Sequence, residues 1–449
     1  MRLTNYELRI MNHELTKDFI NVHLNDDVNK LALSKFPDDI DKQFVIRQIQ
    51  ARQLLKKKLP SWSENDELLF PKRLSLEQCS SELTAKYKRN ISRKVAESQS
   101  EVTSDTICEN LCQSVVETKT LADLTGGMGV DTSFLSDNFD ETIYVESQAE
   151  LCELAEHNFK VLKKNIKVVN AKAEDFLTQC EEVDCIYLDP ARRDEYGRKM
   201  VSLHDCSPDV AELQDLLFEK TNTVIVKLSP MLDIDIIKKE LNNIKEIHVV
   251  AVKNECKELL VVCQRTTDNG QQTSSKACSQ LITIDLRENW NFSFNEDEEQ
   301  EAVPTFADEI GKYLYEPGVA CMKAAPFKLL SQRFNIKKLH RNSHLYTSDK
   351  LVADFPGRTF EVINVVPFDK KAKKILSQQT TDNGQQSLEE SSKLKAQSSR
   401  LKASVATRNF PLSADELRKN LGLQDGNDFY IFGTTMKGEK KVLILGSKC

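Results

Sequence analysis

A short set of residues between positions 123 and 189 has the types and spacing that chemistry can use. Asp123 closes an apolar run and leads into Gly126-Gly127-Met128-Gly129. Glycines at a strand-to-helix turn let the backbone approach a ligand and offer amide groups at the start of the next helix. Glu146 stands 23 residues beyond Asp123, at the end of the next apolar run. An acid about 20 residues past such a turn is placed to accept hydrogen bonds from ribose hydroxyls. Glu174 and Asp175, in Ala171-Lys-Ala-Glu-Asp-Phe-Leu177, could receive an adenine amino group. A third run ends in Asp189-Pro190-Ala191-Arg192-Arg193. Together these residues imply a nucleotide-like ligand and an acid beside it that aligns a second molecule.

Those residues must be carried by strand ends. Apolar, β-rich runs recur at Leu121–Leu124, Ile143–Val145, Ile166–Val169, Val183–Leu188, Thr223–Leu228, Ile247–Val252 and Leu259–Cys263, with helical patterns between most of them. Strands alternating with helices give a parallel sheet covered on both faces. The last two runs are joined only by Lys253-Asn-Glu-Cys-Lys-Glu258, too short for a crossover helix, so the seventh strand must run antiparallel to the sixth. Five βα units closed by a β-hairpin is the topology of class I methyltransferases, whereas a dinucleotide-binding fold places another helix before its last strand. The spacing G-G-x-G, in place of G-x-G-x-x-G, agrees. The expected cofactor is therefore S-adenosyl-L-methionine (SAM), held by Asp123, Gly126, Gly127, Gly129 and Glu146.

On that reading Asp189, Pro190 and Arg192 are the expected catalytic residues. The pattern [DN]-P-P-[FYW] at this strand end aligns an exocyclic amine with the methyl group, and such catalysis is mainly positioning. Here Ala191 and Arg192 replace the second proline and the aromatic residue. Arg192 is expected to stack on a base or clamp a phosphate. Lys172 stands where methyltransferases commonly place an acid toward adenine. Cys206, in His204-Asp-Cys-Ser-Pro208, lacks the setting of a cysteine nucleophile and is expected to pack. Lys227 and Asn254-Glu255 lie on the sheet rim, either lining a pocket or holding loops.

At 449 residues the chain is expected to hold several domains. Residues 15–95 have helical periodicity: Asp39–Lys58 reads as a helix stopped by Pro60, and Ser75 with Gln78 as a capping box opening the next. No apolar stretch reaches the length of a membrane span, and Met1–Lys17 has no apolar core of a signal peptide, so a cytoplasmic location is expected. The 12 cysteines include no CxxC pair, and Cys108 and Cys112 are one helical turn apart, which points to reduced thiols and no metal. The net charge of −7 opposes indiscriminate nucleic-acid binding, yet residues 323–402 hold 16 Lys/Arg against 7 Asp/Glu, beside an acidic loop at Asn295–Glu301. The heptapeptide TTDNGQQ occurs at Thr266–Gln272 and at Thr380–Gln386 and reads as a pair of disordered linkers, as does the near-duplicated opening around Met11. The tail from Arg408 should form a Ser413-capped helix and two strands, Phe429–Thr434 and Lys441–Leu445.

The chain also resembles the bacterial class I SAM-dependent methyltransferases that carry a ferredoxin-like segment and a C-terminal THUMP-like domain. The resemblance rests on LEQCSSELTAKYKR, DLTGGMGVDTSFLS, IYLDPARRDEYGRK, HDCSPD, VKLSPMLDI and KNECKELL. It continues in YLYEPGVACMKAAPFKLL, KLHRNSHLYTS, DFPGRTFEVINVVPF and RNFPLSADELRKNLGL. It implies an α/β, Rossmann-like seven-stranded methyltransferase domain at 96–265, after a helical domain at 1–95 and before a linker at 266–280. A ferredoxin-like segment at 281–325 and a THUMP-like domain at 326–449, interrupted by a disordered insertion near 377–402, would follow. It also places Ser80, Ser81 and Glu82 near the carboxylate end of the cofactor, with Ser81 the expected contact. Because THUMP domains bind RNA, the expected partner is tRNA or rRNA methylated at a base amine. A small-molecule or protein substrate, and a silent RNA-binding protein with this fold, are the alternatives.

Overall fold

The computed structural model describes residues 14–104, 118–192, 202–268, 271–273, 279–372 and 402–449. It divides into two compact units, Met1–Ile247 with Glu258–Ala277, and His248–Lys257 with Cys278–Cys449. The opening residues, Cys108, Cys112, Arg193, the second TTDNGQQ copy and most of the insertion expected near 377–402 lie outside the described residues, as does the side chain of Arg192.

The first unit opens with helices α1 (Glu14–Val22), α2 (Val28–Leu33), α3 (Lys42–Leu55), α4 (Pro60–Ser63), α5 (Arg73–Gln78) and α6 (Glu82–Ser104). The side chain of Asp41 caps α3 through the amide of Phe44, and the helix buries Phe44, Val45, Ile49, Ala51 and Leu55. Its buried Arg52 donates to the carbonyls of Asp66 and Leu68, both at 3.0 Å. Burial of that guanidinium pushes its pKa down to about 10, against the nearby charge of Asp66. The expected capping box at Ser75 does not form: Ser75 lies inside α5, and the chain turns extended at Cys79 before α6 begins. The hydroxyl of Ser81 caps α6 instead, accepting from the amide of Thr84 at 3.3 Å. A capping pattern needs non-helical backbone at the cap residue, and that condition is met at residue 81 but not at residue 75.

All seven expected strands form: β1 (Thr120–Asp123), β2 (Glu141–Glu146), β3 (Ile166–Asn170), β4 (Cys185–Leu188), β5 (Thr223–Leu228), β6 (Ile244–Val252) and β7 (Glu255–Gln264). Between them run α7 (Val130–Leu135), α8 (Ala149–Val161), α9 (Ala173–Gln179), α10 (Val210–Lys220) and α11 (Ile234–Glu240). The order β3-β2-β1-β4-β5-β7-β6 is parallel through β5, and β7 is antiparallel to β5. Lys253 and Asn254, both with positive φ (54° and 57°), make the two-residue turn between β6 and β7. The helices before the sheet are tied to it, since the buried Asn158 of α8 bonds both the amide and the carbonyl of Leu69 at 2.9 Å. The first TTDNGQQ copy is not a disordered linker in its described residues: Thr266–Asp268 pairs antiparallel with Gln271–Thr273.

The second unit contains the hairpin β8 (Gln280–Asp285) and β9 (Trp290–Asn295), then α12 (Glu296–Glu301). The acidic stretch there is a helix and not a loop, because Asn295 and Glu298 form a reciprocal cap. Next come β10 (Tyr313–Pro317), α13 (Val319–Ala324), α14 (Phe327–Arg333), β11 (Lys337–Lys338), β12 (Tyr346–Ser348) and β13 (Gly357–Pro367). The unit ends with β14 (Lys402–Arg408), α15 (Ala414–Leu421), β15 (Gln424–Met436) and β16 (Lys440–Lys448). Seven strands form one sheet, β11-β12-β10-β13-β16-β15-β14, with Leu314, Phe360, Phe432 and Ile444 in one of its cores. Ser413 and Glu416 cap α15 as expected. Asn254 holds a loop here, accepting from the amide of Val319 at 2.9 Å.

Candidate functional site

The strand ends of the first unit converge on a cleft of about 630 Å³. Its floor is the loop after β1. Gly127 and Gly129 have φ of +53° and +79°, a region costly for other residues. Gly126 lies so close to Tyr144 that a Cβ there would sit 2.1 Å from the ring. Tyr144 is fully buried, packs edge-on against Phe159, and donates from its hydroxyl to the carbonyl of Gly127 at 2.6 Å. The loop is therefore clamped flat from below, leaving its upper face for a ligand.

Acids surround that face. Glu146 accepts from the amides of Gly127 (3.0 Å) and Gln148 (2.8 Å) and from the hydroxyl of Ser147. Asp123 accepts from the Thr132 hydroxyl at 2.5 Å and from the Thr125 amide at 3.0 Å. Glu174 and Asp175 line the cleft, as does Lys172. Asp189 also lines it and receives the Lys227 ammonium at 2.5 Å, while its amide donates to the Thr125 hydroxyl. Of the sequence-expected residues, Asp123, Gly126, Gly127, Glu146, Glu174, Asp175 and Asp189 thus come together around one cavity. Gly129 stands behind the loop as the first residue before α7, and Pro190 is buried next to Asp189. Ser81 is not among the lining residues; its neighbour Ser80 is, because Ser81 is occupied as the cap of α6. Glu82 accepts from the amide of Ser61, away from the cleft.

Burial pushes the Asp123 carboxyl up to about 7, outweighing its hydrogen bonds from Thr132 and Thr125, with Asp131 and Asp189 adding repulsion. A carboxyl whose folded pKa lies above its unfolded value binds more protons when folded. Stability then falls as pH rises from about 4 to about 7. Asp123→Asn removes this dependence. Urea unfolding at pH 5 and pH 8 should show the variant gaining on the parent at the higher pH, by about 1–3 kcal/mol. An equal difference at both pH values would count against a buried, proton-binding Asp123.

Sequence reasoning missed the buried charges behind this cleft. Lys88 of α6, 1% exposed, lies 3.0 Å from both oxygens of Glu258 in β7 and 3.2 Å from Asp131. Asp131 also accepts from Ser80 at 2.7 Å and from Tyr187 at 2.9 Å. Burial opposes charge on Asp131, but Lys88 and Lys227 overcome it and hold the carboxyl below its ordinary range. A visible signal existed: Ala85, Lys88, Ser92 and Val95 share the buried stripe of α6, where a lysine requires a partner. Cys206 is fully buried, in keeping with packing. His204, Asp209 and Glu212 group their ligand atoms within 4.8 Å, but Asp209 already serves as the cap of α10 and as partner of His204.

The donor set suits SAM. An ammonium, a sulfonium and a ribose diol would meet carboxylates at Asp123, Asp131 and Glu146. Asp131 lines the cleft with its Oδ1 facing the Lys88 ammonium at 3.2 Å. The glycine loop rests on Tyr144, closer than any side chain at Gly126 would allow, and lines the cleft with Gly126 and Gly127.

Comparisons with known proteins agree with this architecture. A model of a ferredoxin-like domain matches residues 313–356, and one described as THUMP domain-like matches residues 386–448. No curated protein matches the chain. A solved candidate methyltransferase from Porphyromonas gingivalis W83 is similar over 100% of both chains, at 30% identity and a TM-score of 0.79. A candidate RNA methyltransferase from Pyrococcus horikoshii is similar over 46% of this chain and 96% of its own, at 14% identity and a TM-score of 0.30. TrmK of M. capricolum, solved with S-adenosylhomocysteine, is similar over 33% of this chain and 62% of its own, at 10% identity and a TM-score of 0.26. At such scores the last two carry no argument about this chain.

Proposed function

We propose a function from one premise: the chain belongs to the methyltransferase family that carries a ferredoxin-like domain and a C-terminal THUMP-like domain. On this reading it transfers a methyl group from SAM to RNA. The observation that carries the cofactor is the acid-rimmed cleft over the flattened glycine loop, with Asp189 at its wall. Asp123, Asp131 and Glu146 would hold the cationic and ribose parts of SAM, and Glu174 or Asp175 its adenine. Bound there, SAM supplies a methyl group on a positively charged sulfur. Asp189 and Pro190 would align the acceptor, which their motif implies is a base amine.

Two measurements test this reading. Gly126→Ala should weaken SAM binding by about 100-fold or more in calorimetry, since the added carbon overlaps a ring that cannot move. Unchanged affinity would remove the cofactor from this loop. The RNA part is supported by the THUMP domain-like match and by the basic balance of the chain's later part. Lys440 and Lys441 are exposed at the start of β16. Replacing both with glutamate should weaken tRNA or rRNA binding and lower the slope of log affinity against log salt by about 1–2. Salt-independent or absent RNA binding by the parent protein would favour a small-molecule or protein substrate. Labelling total RNA and protein of a strain lacking the gene with tritiated SAM then identifies the substrate class.

A further inference from the structure

We infer that the acceptor at Asp189 is a hydroxyl group, the 2′-hydroxyl of an RNA ribose, aligned by the Lys227–Asp189 ion pair. The inference rests on the reading of the chain as a SAM-dependent RNA methyltransferase and changes the acceptor that its sequence motif implies.

The first observation is the pair itself. Lys227 Nζ donates to Asp189 Oδ2; Asp189 lines the cleft and is 34% exposed, while Lys227, 14% exposed, is reached beside it through that carboxylate. Among the described residues Asp189 is the hydrogen-bond partner recorded for Lys227. An acceptor meeting this pair meets a donor and an acceptor side by side. An exocyclic amine fits poorly: it has two N–H donors, and its single lone pair is the nucleophile. An ammonium donating to that nitrogen would occupy the electrons that must attack. A hydroxyl fits well. It gives its one proton to Asp189, accepts from Lys227 through one lone pair, and keeps its second lone pair for the methyl carbon.

The second observation is the wall of the cleft. Tyr187 lines the cleft and is fully buried, with its hydroxyl given to Asp131. Ala191 stands where the motif for amines carries its second proline, and small polar groups, Ser207 and Thr125, complete this part of the cleft. Small polar groups of this kind can pair with the hydroxyls of a sugar edge. Within an RNA chain the 3′ and 5′ oxygens are in phosphodiester bonds, so the 2′-hydroxyl is the free one.

The third observation keeps Lys227 a donor. Burial opposes its charge, but Asp189, Asp131 and Glu258 outweigh burial and hold its pKa above the ordinary lysine value. It therefore supplies a permanent positive charge beside the oxygen rather than acting as a base. Proton removal falls to Asp189. As the oxygen lone pair forms the new C–O bond, the C–S bonding pair remains on sulfur as a neutral thioether. The hydroxyl proton passes to Asp189 and from there to water.

The test uses the full chain, labelled SAM and RNA from a strain lacking the gene. The RNA is digested to nucleosides for mass spectrometry, and a second portion is hydrolysed in alkali, which spares the bond beside a 2′-O-methyl group. Label on ribose with an alkali-resistant dinucleotide is the expected result. Label on a base nitrogen overturns this inference alone. RNA that takes up no label overturns the RNA reading, and this inference with it. Lys227→Met should bind SAM within about threefold of the parent in calorimetry yet lose transfer by about 100-fold or more, with Lys227→Arg recovering part of it. Loss of SAM binding in Lys227→Met, or retained transfer, would show that Lys227 does not align the acceptor.

Discussion

Lys88→Met is expected to lower the unfolding free energy of the first unit by about 3–5 kcal/mol, the range for breaking one side of a buried ion pair. The ammonium of Lys88 is 1% exposed and faces Glu258 and Asp131, both of which stay in low dielectric when it is removed. Glu258 would suffer most. Burial already raises its pKa and Lys88 is the leading influence opposing that rise. The double variant Lys88→Met with Glu258→Leu should recover most of the loss, because replacing both partners with apolar side chains leaves no orphaned charge. Asp131 would keep Ser80 and Tyr187 as donors. The chain has two tryptophans, and Trp62 is buried in the first unit beside Leu55, Leu76 and Ala85. Its fluorescence, in a Trp290→Phe background, follows urea unfolding of this unit alone. A loss under about 1 kcal/mol for Lys88→Met would contradict a tightly coupled cluster.

Asp189→Ala is the substitution expected to affect turnover most. It removes the carboxylate proposed to align the second substrate and should lower methyl transfer by about 10²–10⁴-fold. SAM binding should change little, about threefold at most, since Asp123, Asp131 and Glu146 are untouched. The comparison of single-turnover rate with calorimetric affinity separates the two effects. Retained turnover would take Asp189 out of the mechanism, and a parallel loss of SAM binding would make it a cofactor residue. Lys227 would stay charged in this variant because Asp131 and Glu258 also support it. The alanine protein should therefore fold.

What could be read from the sequence was local. The seven strands and the hairpin that joins the last two announce themselves through runs and spacings within a few residues of one another, although the structure shortens the expected join, Lys253–Glu258, to Lys253-Asn254. The same holds for Asp123, the glycines and Glu146, each at the end of its strand. Ser75 and Ser81 show where locality fails. Both precede helix-like sequence, and only the extended backbone at Cys79 decides which one caps. Two further misreadings, at Asn295–Glu301 and in the first TTDNGQQ, came from equating polar composition with loops. At Asn295–Glu301 short-range capping was sufficient for a helix, and in the first TTDNGQQ two short strands pair. The Lys88–Asp131–Glu258 cluster is the opposite case. Its members come from three separate elements, and only the folded unit brings them into contact.

The distance between Lys88 and Glu258 along the chain, 170 residues, also sets a schedule for synthesis. Helix α6 leaves the ribosome with a lysine on its apolar stripe and no carboxylate from β7 yet made to receive it. At about 5–20 residues per second, roughly 10–35 s pass before Glu258 is added. Until then Lys88 has Asp131 but not Glu258 to meet, so α6 docks with part of the counter-charge its buried ammonium needs. Full docking of α6 is therefore expected only after β7 is made. During translation, this nascent chain should show chaperone contacts around α6 that end once β7 has emerged.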